Sequence, residues 1–274
     1  MGAESQVLTV ERAGHVATLW LDNPARRNAM GPAFWDDLPV LARKLGDDRD
    51  VRAIVLAGKG PHFTSGLDLT AFAGLGGGDA GGRSEAARRQ STLRMIRRMQ
   101  GSITALADCP KPVIAAVHGY CLGGGIDLIT ACDVRLASAD AIFSIRETKI
   151  AIVADVGTLQ RLPGIVGEGH VAELAFTGKD ITAARAREIG LVNDVYPDAA
   201  GVVAAARAMA EEIAANSPLA VQGTKAILQA RRTRTIAEGL DYVSLWNAAF
   251  LQSNDLMEAM AAFAEKRRPR FTGE

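Results

Sequence analysis

The stretch Val113-Ile114-Ala115-Ala116-Val117-His118-Gly119-Tyr120-Cys121-Leu122-Gly123-Gly124-Gly125-Ile126-Asp127 decides how this chain folds. Its first five residues are small or branched and apolar, the pattern of a strand buried on both faces in a parallel sheet. The glycines that follow predict a turn, and beyond the turn a helix from about Gly124 to Ala131. A buried strand that feeds a helix through a glycine turn is a repeating unit of parallel sheets with crossover helices.

Outward from that unit, residues 53–57 form a second continuous apolar run, and residues 7–10 and 15–21 read as a strand pair joined by a polar turn. Residues 32–45, opened by Pro32, and 84–106 read as helices, with a long loop containing Gly, Ser and Pro at 58–83 between the second apolar run and the second helix. Residues 134–137 and 142–143 are further strands. From about Gly157 the pattern turns helical, at 167–177, 182–190, 199–216, 218–229 and 235–263, with one strand at 191–195. The expectation is an α/β core over residues 1–200 and a helical region over 201–274. The amphipathic C-terminal helices suit packing on another subunit or on their own core.

The 274 residues are 48% hydrophobic, and 31 basic side chains balance 31 acidic ones. That composition excludes a disordered chain and offers no overall field for nucleic acid or an anionic membrane. A compact anion needs only a few cations and backbone amides, so it stays possible. Cys109, Cys121 and Cys132 are too few for a disulfide scaffold and are not spaced as zinc ligands, which points to a reducing cytoplasm and no metal. There is no signal-type apolar segment at the start and no run of eighteen apolar residues, so a soluble chain without a membrane partner is expected.

Gly76, Gly78 and Gly81 match G-x-G-x-x-G in a glycine-rich run at 75–82 that reads as a mobile loop, but no strand precedes them, and a dinucleotide site fails on context. Gly119-Tyr120-Cys121-Leu122-Gly123 has the form of a nucleophile elbow, with His170 and either Asp140 or Asp155 available to complete a triad; packing of a small buried thiol is the plainer reading. Two loops carry more when taken together. His62-Phe63-Thr64-Ser65-Gly66-Leu67-Asp68-Leu69 follows the strand at 53–57, and Gly123-Gly124-Gly125-Ile126-Asp127 follows the strand at 113–117. Both leave the carboxyl ends of parallel strands, where open α/β sheets bind ligands. Glycine lets backbone approach closely, so two such loops can aim free N–H groups at one oxygen and form an oxyanion hole.

These segments resemble the crotonase family, the enoyl-CoA hydratase and isomerase superfamily, from about Val7 to Phe271. The supporting stretches are Asn23-Pro24-Ala25-Arg26-Arg27-Asn28-Ala29-Met30, the two glycine loops, Cys132-Asp133, Thr158-Leu159-Gln160-Arg161-Leu162-Pro163, and Phe263-Ala264-Glu265-Lys266-Arg267-Arg268-Pro269. The resemblance implies a ββα spiral core of the ClpP/crotonase type with a helical C-terminal trimerisation region, assembled as a homotrimer or a dimer of trimers. It implies an acyl-CoA thioester whose oxygen is held by the N–H groups of Leu67 and Gly124. It also implies CoA and substrate contacts from Arg26, Arg27, Ala29, Ser65, Gly66, Asp68, Phe263 and Lys266, and no cofactor beyond the CoA of the substrate.

Once an enolate is held, nearby acids and bases choose the reaction. Asp127, Glu147 and Asp155 stand in candidate positions. Hydratases of the family pair glutamates at the first two and usually have glycine at the third. Asp155 is therefore a departure, because a third acid has no part in adding water and would place an extra charge in an apolar tunnel. With residues 154–163 it resembles the Δ3,5-Δ2,4-dienoyl-CoA isomerases of fatty-acid β-oxidation. In that subgroup Glu147 removes a proton from C2, Asp155 delivers one at C6, and Asp127 raises the Glu147 pKa as a like charge. Enoyl-CoA hydration and non-catalytic acyl-CoA binding are the other readings. Structural roles are open to the same acids: Glu147 pairing with Arg146 or Lys149, and Asp155 lying at the surface or capping a helix near Gly157.

Overall fold

The computed structural model describes residues 5–72 and 84–274; the glycine-rich run at 75–82 lies outside the described residues. The chain opens with β1 (Leu8–Ala13) and β2 (Val16–Leu21), then helix α1 (Pro32–Asp47), β3 (Ala53–Gly58), the single turn α2 (Leu69–Phe72) and the long helix α3 (Glu85–Ala107). It continues through β4 (Val113–Val117), β5 (Tyr120–Leu122), α4 (Gly124–Thr130), β6 (Val134–Ser138) and β7 (Ile142–Ser144). The remaining elements are α5 (Thr158–Arg161), α6 (Glu168–Thr177), β8 (Ile181–Thr182), α7 (Ala183–Glu188), β9 (Asp194–Tyr196), α8 (Ala199–Ala214), α9 (Pro218–Ala230), α10 (Ile236–Phe250) and α11 (Asn254–Ala264).

The main sheet has the order β1-β2-β3-β4-β6-β9; β1 is antiparallel to β2 and every later pairing is parallel. A smaller sheet, β5-β7-β8, stands beside it. Alternation along β3 explains the two layers: Ile54 and Leu56 join a core with Leu38 of α1 and Ile103 and Leu106 of α3, whereas Val55 faces a second core with Val202, Ala206, Ala210 and Ala214 of α8. The alanines at every fourth position let α8, which spans the expected boundary at residue 200, lie close against the sheet.

Three expectations shift. Residues 120–122, expected within the glycine turn, form β5 and pair in parallel with β7; a three-residue strand is too short to show a period. The helix expected over 235–263 is two helices, because Ser253 starts a new one by accepting the Leu256 N–H at 3.2 Å. The strand expected at 191–195 lies at Asp194–Tyr196, where it pairs with β6, while Leu191 and Val192 are buried just before it.

None of the residues of α10 is buried, and Leu240, Leu245, Met257, Met260 and Phe263 are exposed along α10 and α11. No helix among the described residues is long and apolar enough to cross a membrane.

Candidate active site

Residues 63–68 lie between two neighbouring segments and are bridged to each at a single point, Thr64 to Cys121 and Leu67 to Met30. On one side Thr64 donates its N–H to Tyr120 O at 2.8 Å and accepts from Leu122 N–H at 3.2 Å. On the other, Met30 donates to Gly66 O at 2.8 Å and accepts from Asp68 N–H at 3.1 Å. This bridging pattern uses the groups on either side of Leu67 and leaves its own N–H without an acceptor among the described residues. Gly124 opens α4, so its N–H has no partner within the helix.

The two loops are pressed together. Gly66 has φ +86°, and a Cβ there would lie 2.5 Å from Leu122 O and 3.3 Å from Gly124 N; a Cβ on Gly124 would lie 3.8 Å from Leu67 N. Only glycine permits the conformation and the approach at residue 66. Leu67 and Gly124 line one cavity of about 330 Å³, with Trp35, Met99 and Ile152 among its apolar walls.

Asp127, Glu147 and Asp155 line the same cavity. Asp127 is buried on α4 and accepts the Thr158 N–H at 2.6 Å. Burial pushes its pKa up to about 6, against the pull of Thr158 and of the Arg161 charge. Glu147 begins a short 3₁₀ turn, Glu147–Ile150, and a Cβ on Gly123 would sit 3.2 Å from its Oε1. Its Oε2 is buried with no hydrogen-bond partner among the described residues. Burial pushes Glu147 up to about 7, with smaller contributions from the charges of Asp127 and Asp155. The Asp127 charge therefore assists a shift that desolvation dominates. Burial also raises Asp155.

The structural roles weighed for these acids go to other residues. Arg146 pairs with Asp180 at 2.7 Å, and the first N–H of α5 is accepted by Asp127 rather than Asp155. Cys121 is fully buried in β5, and burial drives its thiol pKa upward, so it is no nucleophile; His170 sits at the surface beside Glu173. Among the described residues no group of three or more His, Cys, Asp or Glu could hold a metal ion.

Of the CoA and substrate set, Arg27 and Ser65 also line the cavity. Arg26 instead donates from Nη2 to Asp68 Oδ1 at 3.1 Å and to Thr70 Oγ1 at 2.5 Å, tying the first loop to the Asn23–Met30 segment. Ala29 and Gly66 serve through backbone, where Ala29 N–H binds Arg26 O and Gly66 O accepts from Met30. Phe263 and Lys266 do not line the cavity; Phe263 is 87% exposed at the end of α11. Sequence reasoning missed Asn28, whose buried side chain accepts from Asn23 N–H at 2.8 Å and donates to Lys59 O at 2.9 Å and His62 O at 2.8 Å. Asparagine tolerates the left-handed backbone found there, φ 54°, and that was the available signal. Arg146 also lines the cavity and was considered only as a partner for Glu147.

Comparison with known proteins agrees with this geometry. The peroxisomal Delta(3,5)-Delta(2,4)-dienoyl-CoA isomerase of Arabidopsis thaliana is 45% identical, covering 92% of this chain and 91% of the relative. The mitochondrial Delta(3,5)-Delta(2,4)-dienoyl-CoA isomerase of Dictyostelium discoideum is 48% identical, with 93% and 87% covered. Among solved structures, an enoyl-CoA hydratase from Bacillus anthracis superposes with a TM-score of 0.89 at 31% identity, covering 98% of this chain and all of that one. The architecture is thus the crotonase fold. The enoyl-CoA hydratase/isomerase family model matches residues 11–274, and the chain belongs to that family.

Proposed function

We propose that this chain isomerises 3,5-dienoyl-CoA to 2,4-dienoyl-CoA. The observation that carries the reading is the third acid: Asp155 stands in the same cavity as Glu147, Asp127 and the Leu67 and Gly124 residues whose N–H groups have no acceptor among the described residues, beyond what hydration needs. Relatives named for this reaction, at 44–48% identity, support it.

The thioester oxygen takes the N–H groups of Leu67 and Gly124, which strengthen as negative charge grows on it. Glu147, beside the Gly123–Gly124 turn, accepts the C2 proton, and the C2–H electron pair spreads into a dienolate over C1–C6. Asp155 gives its proton to C6, the chain becomes conjugated with the thioester, and the oxygen charge collapses. Glu147 then holds a proton that Asp155 has lost, so one proton returns through solvent before the next turnover. Desolvation raises both carboxyls: it brings Glu147, the base, to about 7, and it shifts Asp155 in the direction that favours its proton-carrying form. No metal or separate cofactor has a step here.

CoA is assigned to Arg27 at the cavity rim, the backbone around Ala29 and the Ser65–Asp68 loop, with Arg26 dividing its guanidinium between Asp68 and Thr70. Phe263 and Lys266 reach CoA from a neighbouring subunit; their exposure at and just past the end of α11, with the apolar row along α10, favours a homotrimer or dimer of trimers. The three free buried cysteines fit a reducing compartment such as the cytoplasm.

The test is to incubate a 3,5-dienoyl-CoA with wild type, Glu147→Gln and Asp155→Asn and follow the conjugated product. Formation by wild type and loss in both variants is expected. An inactive wild type that hydrates crotonyl-CoA in a Glu147-dependent manner would overturn the reading in favour of a hydratase, and full activity in Glu147→Gln would remove the site.

A further inference from the structure

Asp155 sits in a segment that has no regular structure before α5, so something must fix where its carboxyl stands. Three ties do so. Gln100 of α3 donates from Nε2 to the Asp155 carbonyl at 2.6 Å. Arg161 donates from Nη2 to Thr104 Oγ1 of α3 at 2.9 Å and reaches the Val156 carbonyl from Nη1 at 3.4 Å. Asp127 accepts from Thr158 N–H. The guanidinium of Arg161 occupies the space where a Cβ of Gly157 would be, and Gly157 has φ +132°, so this glycine and this arginine are fitted to each other.

Two of the three ties run to one helix. Gln100 and Thr104 are one turn apart on α3, and they grip the segment immediately around Asp155. The same helix supplies Met99 to the cavity wall. Glu147 has a separate support, through Ile152 N–H to Glu147 O at 3.0 Å and Thr148 Oγ1 to Ala175 O at 3.0 Å, which engages α6 and not α3.

We propose that Gln100 and Arg161 are positioning residues for the proton donor, holding Asp155 against α3 so that the reaction's second proton transfer depends on this tie while the first does not. The proposal rests on the assignment of C6 protonation to Asp155. It divides the machinery into a base and oxyanion half anchored on α4, β5 and α6, and a donor half anchored on α3 and joined to the first by the Asp127–Thr158 bond.

The two halves have separate readouts. Abstraction at C2 appears as exchange of the C2 hydrogen of a 3,5-dienoyl-CoA with solvent deuterium; delivery at C6 appears as conjugated product. Gln100→Leu and Arg161→Met are each expected to slow product formation roughly tenfold to a hundredfold, the scale of a misplacement near 1 Å, while C2 exchange stays within about twofold of wild type. Arg161→Lys, which keeps the charge and a donor, should recover part of the loss. Gln100 is exposed, so Gln100→Leu keeps the proposal testable where Arg161→Met fails to fold. Equal losses of exchange and product in Gln100→Leu, or wild-type product formation, would overturn the positioning role. Asp155→Asn in the same assays tells the two failures apart: if it too forms product normally, the C6 assignment fails; if it keeps exchange but loses product while Gln100→Leu is unaffected, only the positioning role fails.

Discussion

Asp127 on α4 accepts the backbone N–H of Thr158 at 2.6 Å, across 31 residues of sequence, and so caps a helix to which it does not belong. One carboxylate thereby fixes the distance between the oxyanion turn and the segment carrying Asp155. Its charge and its acceptor oxygen can be separated by mutation.

Asp127→Asn keeps an oxygen for Thr158 and removes the charge. Activity is expected to stay within about tenfold of wild type, with the acidic limb of kcat/KM moved to lower pH because Glu147 loses a like-charged neighbour. Asp127→Leu leaves a buried N–H unsatisfied, which costs about 1–3 kcal/mol, and displaces Asp155 as well. Thermal unfolding and pH-rate profiles of the two variants test this; equal losses in both would mean that the charge alone matters.

Ionising Glu147 in the folded chain costs stability. Its pKa rises from an ordinary 4.5 to about 7, equivalent to about 3 kcal/mol. Between those values the folded chain keeps a proton that the unfolded chain has lost, so this group's effect on stability worsens as pH rises through the window and is constant above it. Glu147→Gln should abolish isomerisation and raise the melting temperature at pH 8, with the gain shrinking toward pH 4.5. A variant no more stable than wild type at pH 8 would contradict the buried, uncompensated carboxylate.

Much of this was legible from residues alone, for physical reasons that differ by element. The strands at 53–57 and 113–117 announce themselves because burial on both faces leaves an unbroken apolar run. Gly66 and Gly123–Gly125 were legible as turns because little else fits between two touching backbones. Strand β5 was not, since three residues carry no period, and neither was the break before Ser253, where one cap competes with a continuing apolar pattern. The three acids stood out through the family resemblance at their positions, but that burial dominates the Glu147 shift depends on cavity walls contributed by α1, α2 and α3. Arg26 shows the limit most clearly: a cation in a CoA-like loop reads as a phosphate ligand until Asp68 and Thr70 are seen beside it.

Arg26→Met follows from that pairing. Asp68 is next to Leu67, and its carboxylate is held low by the Thr70 hydroxyl first and by Arg26 less strongly. Loss of the guanidinium should loosen the loop bearing the oxyanion donor, lowering kcat several-fold with a smaller change in KM. A rise in KM with unchanged kcat would instead assign Arg26 to ground-state binding of CoA. Arg27→Met, at the cavity rim without a carboxylate partner among the described residues, is expected to show that second pattern.

Gly66→Ala tests the oxyanion geometry against a matched control. Alanine at φ +86° is strained, and its methyl would meet Leu122 O at 2.5 Å, so the loop must move away from the turn that carries Gly124. Gly14 also has positive φ, +55°, but a methyl there meets nothing within 4 Å. Gly14→Ala therefore reports backbone strain alone, about 1 kcal/mol with kcat unchanged. Gly66→Ala should lose more stability and, if it folds, about a hundredfold or more in kcat, the scale of removing one oxyanion donor. Because Leu67 N–H and Gly124 N–H act on charge that builds on the thioester oxygen as C2 loses its proton, the kcat loss should appear equally in C2 exchange and in product formation. That equality distinguishes this variant from those at Gln100 and Arg161, and an exchange rate left intact in Gly66→Ala would show that the dienolate oxygen is held elsewhere.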